Sequence, residues 1–110
     1  MGRIRVFFDR FEGTTVRSAI AFDPQSTVGD IINQGFYKLT YCLPDGCMPI
    51  MQIHDEIVFE VDENKILECA SIIKKECEPP LLYPNVDAPL IIPIEMNSGP
   101  NWFDQTLVEI

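Results

Sequence analysis

A chain of 110 residues with 46% hydrophobic content is long enough for one small domain with a modest core, so a single domain over residues 1–110 is expected. Seventeen acidic against eight basic side chains give a formal charge of −9, which opposes a polyanionic phosphate backbone, so composition alone argues against nucleic-acid binding. Met1-Gly2-Arg3-Ile4-Arg5 lacks the apolar core of a signal peptide and no apolar run approaches the roughly 20 residues of a membrane helix, so a soluble, intracellular protein is expected.

Arg3 to Phe8 alternates basic and apolar residues rich in β-formers, and predicts a short strand. Asp9 to Thr15 is polar and holds Gly13, which predicts a loop, and Asp23-Pro24 should interrupt any helix that starts near Val16. From Ser26 the pattern is helical: Val28, Ile31, Ile32, Phe36 and Leu39 share one face, with Ser26 or Thr27 as the cap and Leu43-Pro44-Asp45-Gly46 as the stop.

Met48 to Val61 predicts two strands joined tightly at His54-Asp55, because Ile57, Phe59 and Val61 alternate with Glu56, Val58 and Glu60. Asp62 to Asn64 opens a second helix with Ile66, Leu67, Ala70, Ile73 and Cys77 on one face, closed by Pro79-Pro80. Leu81 to Pro89 should be an ordered loop and Leu90 to Glu95 a strand, after which Ser98-Gly99-Pro100 turns the chain toward Trp102-Phe103. This order predicts an α+β fold: an antiparallel sheet with a central β-hairpin and two main helices packed on one face.

Cys42, Cys47, Cys69 and Cys77 contain no Cys-x-x-Cys pair and have only His54 as an imidazole partner, so they are expected to be reduced thiols packed as small apolar groups. Trp102, which follows a turn and adjoins Phe103, is expected to plug the core, and Phe36 and Tyr37 to pack along the helix. The residue with the clearest chemical potential is Asp55. A carboxylate at the tip of a hairpin is held by rigid backbone where a hard cation can reach it. Glu56 follows it, but neighbouring strand residues point to opposite faces, so one of the two needs a partner from elsewhere.

The run Met51-Gln52-Ile53-His54-Asp55-Glu56-Ile57-Val58-Phe59-Glu60 resembles the hydrophobic-Gln-Val-His-Asp-Glu-hydrophobic motif of family A DNA polymerases. Gly2-Arg3-Ile4-Arg5 is similar to the Gly-Arg-x-Arg segment that follows the fingers in those enzymes. Arg17 and Gln25 match the spacing of two family residues that touch primer-template. Leu90 to Glu95 with Gly99-Pro100-Asn101-Trp102 resembles the closing strand and Gly-x-x-Trp ending, most like the bacteriophage members.

The resemblance implies the C-terminal palm portion of a DNA-directed DNA polymerase. Asp55 would be the second of two metal-binding aspartates acting with Mg2+, and Glu56 a supporting carboxylate. Arg17, Gln25 and His54 would contact DNA, largely without regard to sequence because minor-groove acceptors are nearly degenerate. Primer-template and dNTP would be the ligands of the complete enzyme, in the cytoplasm of a bacterial or phage-infected cell.

Two departures qualify this. Ala21 stands where the family commonly has Asn, so one minor-groove contact that the resemblance implies is not expected from this position. The first catalytic aspartate strand, the fingers and the thumb have no counterpart in the sequence, and a two-metal site needs ions roughly 4 Å apart clamped by carboxylates from both strands. Asp9, Asp23, Asp30 and Asp45 each fall in a loop, turn or helix with no motif around them. The isolated chain is therefore expected to be inactive. It would be either a truncated reading frame or one half of a split polymerase with a separately encoded N-terminal part, and its bare hairpin edge suggests a homodimer. The alternatives are a non-catalytic binding module on the same fold, and an unrelated phosphohydrolase using Asp55 and Glu56.

Overall fold

In the computed structural model, which describes residues 3–8 and 10–110, a single helix of 30 residues, α1 (Gly13–Cys42), runs through the position where a break was expected. Pro24 lies inside it and removes the N–H that would reach the carbonyl of Ile20. Ser26 and Thr27 are mid-helix residues rather than caps, and their hydroxyls donate back to the carbonyl of Asp23 at 3.1 and 2.8 Å. With the helix already formed upstream there is no free amide for them to cap. The cost of the proline, about 3 kcal/mol or more, is offset by packing further along, where Ile31, Gly35 and Leu39 form the buried stripe. The helix ends before Pro44, with the Leu43 amide donating to the Leu39 carbonyl at 3.2 Å.

The strand expected over Arg3–Phe8 does not form, since no neighbouring strand satisfies its backbone. The segment follows α1 instead. Arg3 pairs with Asp30, and the Arg5 guanidinium sits 4.8 Å from the Phe7 ring and 5.9 Å from the Phe22 ring. The loop expected over Asp9–Thr15 is cut short by the helix starting at Gly13, and Gly2 and Asp9 lie outside the described residues.

Strands β1 (Cys47–Ile53) and β2 (Glu56–Val61) form the expected antiparallel hairpin, joined by His54-Asp55. The register runs Cys47 to Val61, Met48 to Glu60 and Pro49 to Phe59, then shifts so that Met51 faces Val58 and Gln52 faces Ile57. Ile50 is the extra residue of this bulge. Proline breaks a ladder because it has no N–H, and a bulge beside it is where such a break is absorbed. Among the described residues neither strand pairs with a third.

A short 3-10 turn (Glu63–Lys65) leads into α2 (Ile66–Cys77), which buries Cys69, Ala70, Ile73 and Cys77. Leu67 does not share that face and is exposed, lying about 100° round the helix from Ile66. The two helices meet at Gly35, where a Cβ would stand only 2.9 Å from Cys77 Sγ. The core joins Leu39, Cys47, Cys69, Ile73 and Cys77, with Ile57, Phe59 and Val61 from the inner face of β2 packed against it. Two helices thus cover one face of the hairpin, the expected α+β arrangement.

The C-terminal stretch departs from expectation. Leu90–Glu95 is not a strand: Leu90 exchanges two backbone bonds with Leu81, at 2.8 and 2.9 Å, and closes the loop between them. The chain then docks by its side chains, with Ile94 and Met96 against the core and the Ile94 amide donating to Glu78 Oε1 at 2.8 Å. Two short strands follow, β3 (Asn97–Ser98) and β4 (Thr106–Leu107). Trp102 is 54% exposed and Phe103 97%, so neither plugs the core. Asn101 Oδ1 accepts from the Phe103 and Asp104 amides at 2.9 and 3.0 Å, a side-chain turn that leaves both rings in solvent. Phe36 is half-buried, whereas Tyr37 is exposed and packs edge-on to Tyr41, 5.3 Å between ring centres. No helix of the described residues is long and apolar enough to cross a membrane.

Candidate nucleic-acid and metal site

His54-Asp55 is the tightest connection that can join two antiparallel strands. Two-residue turns need left-handed backbone to match strand twist, and His54 takes φ 53° without being glycine. Ile53 and Glu56 form the pair that closes the ladder on either side of the turn. His54, Asp55 and Glu56 are all exposed, at the end of the hairpin away from Cys47. By strand alternation Glu56 shares the outer face with Val58 and Glu60, while Ile57 and Phe59 face the helices.

The bulge decides where Gln52 goes. Cys47 and Pro49 are on the core-facing side, and an unbroken strand would put Met51 and Ile53 there next. The extra residue moves Gln52 to that side instead, opposite Ile57, where its Nε2 donates to Asn33 Oδ1 on α1 at 3.1 Å. This contact, with the packing of Cys47, marks the direction of the hairpin. Cys47 packs with Leu39 near the end of α1 and Gln52 meets Asn33 farther back, so the turn points toward the N-terminal half of the helix.

That half carries Arg17 and Gln25, both exposed. Gln25 lies about 12 Å along the axis from Asn33, and Arg17 about 12 Å beyond that. Arg17 is five helical turns before Gly35, so it continues the line of the buried stripe, but at a level past the end of α2's contact. The sequence-derived residues therefore lie in series along one direction, with His54 and Asp55 at the hairpin end and Gln25 and Arg17 beyond it. The two ion pairs among the described residues, Arg3–Asp30 and Lys38–Glu76, do not involve Arg17. Gln52 and Asn33 are the pair that sequence reasoning passes over. Pro49 inside a strand was the available signal for the bulge that brings them together.

Among the described residues, no three His, Cys, Asp or Glu side chains come together as a metal site. Asp55 and Glu56 stand alone at the turn, and the residues present do not fit a magnesium ion by themselves. The thiols are also kept apart from chemistry. Burial, then the neighbouring Cys69 thiol, push the Cys47 thiol up to about 12. Burial, then the nearby Glu76 carboxylate, raises Cys77 as well, whereas Cys42 is exposed.

The chain is similar to short stretches of several bacterial DNA polymerases. It is 28% identical over 95 residues to DNA polymerase I of Streptococcus pneumoniae, covering 84% of this chain and 10% of that protein. With the thermostable DNA polymerase I of Thermus filiformis it shares 33% over 89 residues, 80% of this chain and 10% of the relative. With DNA polymerase I of Deinococcus radiodurans it shares 32% over 81 residues, 73% of this chain and 8% of the relative. The chain thus spans about a tenth of the length of the curated relatives it matches. No family model matches it. No solved structure matches it either.

Proposed function

We propose that this chain is a C-terminal palm segment of a family A DNA polymerase, in which the hairpin turn carries the second metal-binding aspartate, Asp55. The observation that supports this most strongly is the pairing of two features. The sequence is similar to DNA polymerase I over most of its length, and the one motif it carries sits at an exposed two-residue turn aimed along a helix bearing Arg17 and Gln25.

On this reading Arg17, Gln25 and His54 bind primer-template, and Asp55 would be one donor to a magnesium ion. Glu56 supports it from the outer face of β2. The other donors, the fingers and the thumb come from outside these 110 residues, on the same polypeptide or on a separately encoded one. Nucleotide incorporation is accordingly a property of the assembled enzyme, not of this segment.

A second reading, a non-catalytic binding module, is favoured by the formal charge of −9 and by the lack of a converging carboxylate cluster among the described residues. Amide NMR of the chain with a primer-template duplex separates the two. The polymerase reading expects weak binding that fades with salt, with shifts at Arg17, Gln25 and His54 that Arg17→Ala diminishes. Shifts confined to other surfaces would contradict it.

A further inference from the structure

The helices cover only one face of the hairpin. On the other, alternation and register put Met48, Met51 and Ile53 of β1 beside Val58 of β2, with Ile50 bulging at their edge. Met48 is 59% exposed, Ile50 50% and Met51 41%, so within this chain the patch is open. The same face carries Glu60 opposite Met48 and Glu56 opposite Ile53. No Lys or Arg occurs between Lys38 and Lys65, while Asp45, Asp55, Glu56, Glu60, Asp62 and Glu63 do. The face is therefore apolar along its middle, and the charged side chains that the hairpin itself sets on it, Glu56 and Glu60, are both negative.

We infer that the outer face of the β1–β2 hairpin docks a polypeptide segment whose apolar side chains are bordered by lysines or arginines. Apolar contact supplies the burial, and cations at the segment's margins meet Glu56 and Glu60. A second copy of this chain is a poor occupant, because two such faces would set Glu56 and Glu60 against like charges. Pairing along the outer edge of β1 is also disfavoured, since Pro49 offers no N–H and the bulge at Ile50 interrupts the line of backbone groups. The face itself is the docking surface. The relatives' much greater length leaves ample polypeptide to provide such a segment, but the inference rests on the patch and its charges and holds whether or not the chain serves a polymerase.

The probe is a pair of synthetic twelve-residue peptides, Lys-Val and Glu-Val repeats, added to the full chain labelled at its methionine methyls. The Lys-Val peptide should shift Met48 and Met51, leave Met96 in the core unmoved, and bind roughly tenfold tighter than the Glu-Val peptide, with the difference shrinking in salt. Glu60→Lys should largely remove the preference while circular dichroism stays unchanged. Equal binding of the two peptides, no binding of either, shifts that spare Met48 and Met51, or concentration-dependent shifts of those methyls without peptide would each overturn the inference.

Discussion

Gln52 on β1 donates its side-chain amide to Asn33 on α1 at 3.1 Å, tying the hairpin to the helix one residue before the Ile53–Glu56 pair that closes the His54-Asp55 turn. It exists because the bulge at Ile50 changes which residues face the helix. Both partners are exposed, so its contribution to stability is small, about 0.5 kcal/mol. A double-mutant cycle with Gln52→Ala and Asn33→Ala in urea should return a coupling of that size. The hairpin amide resonances nearest the turn should shift in each single variant. Additive effects with an unmoved turn would mean the contact positions nothing.

Pro24 is the weak point of α1. Proline is about 3 kcal/mol less favourable than alanine in a helix interior, and here Ile20 has lost its amide partner. Pro24→Ala should raise the urea midpoint, with a gain of roughly 1–3 kcal/mol after allowance for the lost rigidity of the unfolded chain. An unchanged or lower midpoint would show that α1 does not pass continuously through this residue.

The hairpin, its turn, the second helix and the helical face from Val28 to Leu39 were legible in the sequence because each rests on local periodicity. The failures are where local and tertiary signals disagree. Pro24 and Ser26 carry strong signals for a break and a cap, yet one helix runs across them and the Ser26 and Thr27 hydroxyls bond back to the Asp23 carbonyl instead of capping. Arg3–Phe8 and Leu90–Glu95 have strand composition but no partner strand, and composition cannot supply one. Trp102 is apolar enough for a core, but Asn101 captures the following amides and turns the ring out. For the site, the motif named Asp55 and its neighbours, whereas the Gln52–Asn33 link depended on a one-residue bulge that side-chain alternation hides.

The thiols predict an alkaline weakness. Cys47 has a folded pKa near 12 against an ordinary 9.0, so the folded state holds its proton where the unfolded state has lost it. Stability from this group is intact below pH 9 and declines as pH rises toward 12, by up to about 1.4 kcal/mol per pH unit. Urea midpoints should therefore fall between pH 8.5 and 10.5, and less so in Cys47→Ala. At neutral pH a thiol reagent should modify Cys42 quickly and Cys47, Cys69 and Cys77 only on unfolding. A flat pH profile with four fast thiols would contradict the packing described.

The polymerase reading is tested most directly by exchange. In a chimera, this chain replaces the similar stretch of Streptococcus pneumoniae DNA polymerase I, and primer extension is measured for the chimera and for its Asp55→Ala variant, both verified as folded by circular dichroism. The account predicts magnesium-dependent extension by the parent chimera and a loss of about a thousandfold or more in the variant. A folded parent that does not extend, or an Asp55→Ala variant that extends as fast as its parent, would contradict it.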